Sequence, residues 1–222
     1  MKKIFKYIFA GMAAMSVVAC SEDALETSPS SSVSGNELLG TATNALVSLN
    51  GVYRAMYTAG VSNSSNTHQC FGITAYNLVA DVMGEDCIMN GQGSGWVWYD
   101  CGLNVKSRYT STGWRSYDMW NGYYTWISNV NYILAEEETM SGSETEKNYV
   151  LGQAYAVRAY SYFMLAQMFS RTYKGHESEP CVPLYTEPTD IATEGKGRAT
   201  VEEVYQQIAS DLDKAITMLG NS

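Results

Sequence analysis

The sequence predicts an all-α protein of helical hairpins joined by long decorated loops. Three observations carry that expectation. Four segments repeat apolar residues every three or four positions. Three of those segments open on a Ser or Thr followed three residues later by Glu, the reciprocal box that satisfies orphan amide donors at a helix start. The stretches between them are long and dense in Gly, Ser, Asn, Pro and aromatic residues.

The first segment opens at Ser34 and Glu37 and lays Leu38, Ala42, Ala45, Leu49, Val52, Tyr53 and Met56 along one stripe, to about Tyr57. A second, residues 115–137, repeats Trp120, Tyr124, Ile127, Val130, Asn131 and Leu134, with aromatic bulk that suits a helix packed on both sides. The third opens at Ser143 and Glu146 and runs through Val150, Ala154, Val157, Ser161, Met164, Leu165 and Met168. Its alanines Ala154, Ala156, Ala159 and Ala166 allow close helix approach. The fourth opens at Thr200 and Glu203, carries Val204, Tyr205, Ile208, Leu212, Ala215, Ile216 and Leu219, and meets Gly220 where a left-handed cap belongs. Residues 60–113 read as loop around a short helix near 75–83, and residues 173–197 as a second loop.

The front of the chain has another character. Lys2, Lys3 and Lys6, an apolar run from Tyr7 to Val18, and small residues after it form a secretory signal over residues 1–19. That run is too short to span a membrane, which takes about 20 apolar residues. Val17-Val18-Ala19-Cys20 resembles the lipobox of bacterial lipoproteins, which makes Cys20 the acylated new amino terminus; ordinary secretory cleavage beside a chance cysteine is the alternative. Residues 20–35 read as lipidated cysteine and Ser-rich tether, and residues 36–222 as one helical domain. The signal holds three of the fourteen basic residues and none of the twenty-three acidic ones, so the mature chain carries a net charge of −12. That argues against nucleic acid or anionic lipid as a partner. Cys70, Cys87, Cys101 and Cys181 permit two disulfides in three pairings, among which the sequence does not choose, and structural thiols or one bridge are expected. With only two His and no C-x-x-C pair, a closed zinc site is not expected, and no cofactor is implied.

The candidate binding residues are Trp96, Trp98, Tyr99, Asp100 and Asn104, behind the glycine-rich stretch 91–95. In an extended segment, alternation would point Trp96 and Trp98 to one side, as a platform for the C–H faces of pyranose rings. Asp100 or Asn104 would then accept hydroxyl hydrogen bonds. The alternative is that one or both indoles fill the core beneath the loop. Arg158, amid apolar neighbours, reads as a structural cation paired with a carboxylate or capping carbonyls. Asp81, Glu85 and Asp86 lack the order of a calcium loop and read as a polar turn. No G-x-S-x-G, H-E-x-x-H or phosphate loop is present, and no motif singles out a carboxylate pair for glycoside hydrolysis.

Several stretches together resemble the amino-terminal half of SusD-like (RagB-like) nutrient-binding lipoproteins of the Bacteroidetes. They are Asn50-Gly51-Val52-Tyr53, the Trp120, Tyr124, Ile127, Asn131, Leu134 helix, residues 153–165, Val182-Pro183-Leu184, and residues 200–219. Residues 153–165 are similar to the family's E-A-x-x-x-R-A-x-x-Y-F-x-L helix, with Gln153 standing where Glu is common; Phe169-Ser170-Arg171 replaces the usual Phe-Gly-Asp. The resemblance implies TPR-like repeats, a further carboxyl-terminal region, glycan binding on exposed aromatic residues, and no catalysis. It also implies delivery to a TonB-dependent SusC-like outer-membrane transporter. Ser21-Glu22-Asp23 looks like the acidic tag that sends such lipoproteins to the cell surface. A surface glycoside hydrolase, a structural or adhesive lipoprotein, and peptide or glycopeptide as cargo are the alternatives.

Overall fold

Thr41 starts the first helix of the computed structural model, α1 (Ala42–Ala55), by accepting the Asn44 N–H on its hydroxyl at 3.2 Å. The structure describes residues 38–62, 67–87, 90–91, 95–98 and 113–222; the Ser34–Glu37 box and Cys20 lie outside them. Ala42, Ala45, Leu49 and Val52 are buried, as the stripe requires. Leu38, expected on that stripe, is exposed, and Leu39 is buried in its place. The chain bends at Gly40 before α1 begins, so the helical phase does not carry back across it.

Four more helices follow: α2 (Ile73–Met83), α3 (Trp114–Ala135), α4 (Glu144–Phe169) and α5 (Val201–Gly220). Among the described residues there is no strand, only isolated bridges joining Thr41 to Ser141 and Pro180 to Thr200. Of the three expected capping boxes, the two within the described residues form: Ser143 with Glu146 and Thr200 with Glu203 bond reciprocally. At the far end of α5 the expectation fails, because Gly220 stays helical and is not left-handed. Asn221 satisfies the last turn instead, its N–H on the Met218 carbonyl at 3.1 Å and its side-chain amide on the Thr217 carbonyl at 2.6 Å. With those carbonyls bonded, no left-handed residue is needed.

Helices α3, α4 and α5 run antiparallel in succession. Near one end of the trio Tyr155 of α4 bonds Glu137 just beyond α3 at 2.5 Å, while Tyr160 further along α4 meets Tyr123. Near the start of α4, a Cβ on Gly152 would sit 2.8 Å from the Leu219 Cγ and 3.1 Å from the Met218 Cβ, so only glycine lets α5 lie this close. Helix α4 is buried on several sides, from Val150 through Ala166, because α1, α3 and α5 all pack on it. On α3, Tyr123, Trp126, Ile127, Val130 and Ile133 reach the core, and Trp120 stands partly buried, edge-on to Phe169 at 5.0 Å. Each of Ile127, Val130 and Ile133 contributes about 1.5–3 kcal/mol by leaving water.

One buried ion pair pins this trio. Arg158 meets Asp211 of α5 through two bonds of 2.8 and 2.7 Å, and also donates to the Asn131 Oδ1 at 2.8 Å and the Thr186 carbonyl at 3.0 Å. Its structural reading from sequence is therefore met. The loop after α4 is tied to the same place. Asn131 donates to the carbonyls of Tyr185 and Glu187, Tyr162 bonds both polar backbone atoms of Tyr185, and Tyr124 donates to the Pro183 carbonyl. Cys70 and Cys181 are buried free thiols and Cys87 an exposed one; Cys101 lies outside the described residues.

Candidate functional site

The site is built from the sharp turn that follows α1. Gly72 sits at φ +67, and a Cβ there would lie 2.0 Å from the Met56 carbonyl oxygen, so the backbone passes α1 where only glycine fits. The Ile73 N–H on the Met56 carbonyl and the Gly60 N–H on the Cys70 carbonyl, each 2.8 Å, fix residues 67–72 to the end of α1. From the first turn of α3, Arg115 donates to the Gln69 carbonyl at 3.0 Å.

The Trp96 segment rests on that shelf. The Gln69 Oε1 accepts the Val97 N–H at 3.3 Å, and the Trp98 N–H reaches the Gly95 carbonyl at 3.4 Å. The segment is thus a turn, with Gly95 at φ +83 and Val97 at φ 44, and the extended alternation expected from Trp96-Val97-Trp98 does not occur. A β-branched residue at positive φ costs about 1–3 kcal/mol. Burial of Val97 and its bond to Gln69 offset that cost. Trp96 is left 43% exposed, flanked by His68 at 5.9 Å and Phe71 at 6.3 Å between ring centroids. Trp98 is half-buried, so the two indoles differ in access. Tyr99, Asp100 and Asn104 lie outside the described residues.

Beneath this face is a buried polar cluster. Asp118 of α3, fully buried, takes the Ser62 hydroxyl on its Oδ1, and its backbone carbonyl takes the Tyr76 hydroxyl at 3.0 Å. Ser62 and Tyr76 hydroxyls lie 3.2 Å apart, and Asn121 donates to the Ser62 carbonyl at 2.6 Å. Burial raises the Asp118 carboxyl above the ordinary aspartate value, against hydrogen bonds from Ser62 and Cys70 and the Arg115 charge, which lower it. Burial, then the charge of and hydrogen bond to Asp118, push the Cys70 thiol up to about 12.

His68 and Phe71 are the residues that sequence reading left outside the site. Their signal was the aromatic and His residues set directly before Gly72, but nothing local links residues 68–71 to 96.

The sequence pattern of the SusD-like family described as starch-binding and associating with the outer membrane matches residues 90–222. Among solved structures, the chain is similar to a SusD-like carbohydrate binding protein from Bacteroides vulgatus, with a TM-score of 0.68 and 28% identity over 81% of this chain and 36% of that one. A SusD superfamily protein from Bacteroides fragilis aligns at TM-score 0.60 and 24% identity, over 79% of this chain and 39% of its own. NanU of B. fragilis aligns at TM-score 0.55 and 22% identity, over 88% and 34%. The last two likenesses show the fold alone. The chain spans little more than a third of the length of these proteins. No curated protein matches it.

Proposed function

The chain belongs to the SusD-like family, and from that premise we propose a surface lipoprotein that captures an oligosaccharide and passes it to a TonB-dependent SusC-like transporter. In this reading residues 1–19 are removed on export, Cys20 carries the lipid at the outer membrane, residues 20–35 are the tether, and residues 36–222 present the site. Trp96 carries the binding reading: a wide apolar ring, 43% exposed, held on a backbone turn that is itself bonded to the helical scaffold. Such a ring covers the C–H face of a pyranose, while polar groups around it take the hydroxyls. Trp98, Tyr99, Asp100 and Asn104 are further candidate ligand contacts in this reading. The protein holds its cargo without cutting it.

Native electrophoresis through gels with and without soluble starch tests this. The chain is expected to be retarded by starch, and Trp96→Ala to migrate as in the plain gel with an unchanged melting midpoint. Equal retardation of both proteins would remove Trp96 from the site. New reducing ends appearing on incubation with starch would replace capture by hydrolysis. An array of glycans and peptides then identifies the cargo.

A further inference from the structure

Gln69 touches three groups at once. Its carbonyl accepts from Arg115 at 3.0 Å, its Oε1 accepts the Val97 N–H at 3.3 Å, and its Nε2 lies 3.2 Å from the His68 Nε2. A side-chain amide nitrogen can only donate, so the facing ring nitrogen of His68 accepts and the imidazole proton sits on Nδ1. The exposed His68 ring therefore offers a directed N–H donor beside the Trp96 indole, the two centroids 5.9 Å apart. The same amide holds the turn that carries Trp96. Val97 stays at φ 44 against its own steric preference, so its N–H bond to Gln69 matters more than such a bond in relaxed backbone. Arg115 in turn anchors Gln69 to the first turn of α3, which joins this loop to the core.

We propose that Gln69 is the positioning residue that makes Trp96 and His68 a single preorganised ligand face for a hexopyranose, with stacking from the indole and a hydrogen bond from the imidazole. The inference rests on the glycan reading of Trp96 above. It adds His68 as a ligand-contacting group and explains why an exposed loop residue is held firmly before any sugar arrives. A site fixed in advance loses less entropy on binding.

Hydrogen–deuterium exchange of the peptide spanning residues 95–98, without glycan, tests the positioning role in the full chain. Gln69→Met keeps the length of the side chain and removes both polar atoms; exchange there should rise about threefold to tenfold, the worth of one net hydrogen bond. Gln69→Glu retains an oxygen for Val97 and should exchange like the wild type. Unchanged exchange in Gln69→Met, or equally fast exchange in both variants, overturns the proposal. In starch gels Gln69→Met and His68→Ala should each be retarded less than the wild type while their helices melt at the same temperature. Full retardation of either variant also overturns it. If the wild type itself is not retarded, the starch reading fails, and the exchange result still decides the role of Gln69.

Discussion

Among the described residues, Arg158 and Arg115 are both buried, and they tie together different parts of the molecule. At the α4–α5 contact, Arg158 spends its donors on both oxygens of Asp211, on Asn131 and on the Thr186 carbonyl, and Gln207 gives Asp211 a further bond at 2.9 Å. At the start of α3, Arg115 donates to the Gln69 carbonyl and acts on Asp118 through its charge, while Asp118 takes its hydrogen bonds from neutral groups. The first arrangement is closed on itself and locks three helices. The second gives a bond to residues 67–72, on which the segment bearing the exposed Trp96 indole rests. Buried charge thus fixes the frame at one place and the candidate ligand face at the other.

The contrast is testable by removing one partner at a time. Arg158→Met strands the Asp211 carboxylate in the core and should lower unfolding free energy by about 3–5 kcal/mol, read from denaturant midpoints. Adding Asp211→Leu to that variant should recover much of the loss, and an equally unstable double variant would mean the pair contributes more than relief of a stranded charge. Arg115→Met should cost less, about 1–3 kcal/mol for a backbone acceptor left without its donor. Its distinctive effect should be faster exchange at residues 67–72 and 95–98; a uniform rise across all helices would erase the distinction between frame and face.

The smallest effect is a change of slope with pH. Because the Asp118 carboxyl is raised in the fold, the folded state holds its proton more tightly than the unfolded chain. That contribution is fully present below the ordinary aspartate value, about 3.9, and is lost as pH rises through the raised one. Asp118→Asn cannot titrate, so the stability of the wild type relative to this variant should be greater at pH 4 than at pH 7. The lowered carboxyls of Glu146 and Glu203 act in the opposite sense, but they are common to both proteins and cancel. A pH-independent difference would mean that Asp118 keeps the same charge folded and unfolded.

Helices were legible because their evidence is local. The boxes at Ser143 and Thr200 formed as the spacing required, and Arg158 found a carboxylate, since a cation amid apolar helix residues has few other stable outcomes. The candidate ligand face was legible only in part. Trp96 could be named, but Trp-Val-Trp has the pattern of an extended strand, and that pattern hid a turn whose cause, the Gln69 amide, lies 28 residues away. The cluster under it joins Ser62 to Asp118 across 56 residues, and neither position carries a periodic signal for the other. Gly220 shows the same limit at short range: two side-chain and backbone bonds from Asn221 removed the need for the cap that composition suggested.

The Cys70 thiol has a chemical consequence. With its ionisation pushed up to about 12, the thiolate fraction at neutral pH is roughly one part in 100,000. Attack on disulfides, peroxides or alkylating agents proceeds through the thiolate, so this sulfur is nucleophilically silent even to a reagent small enough to reach it. Burial and the nearby Asp118 charge together keep the proton on this sulfur.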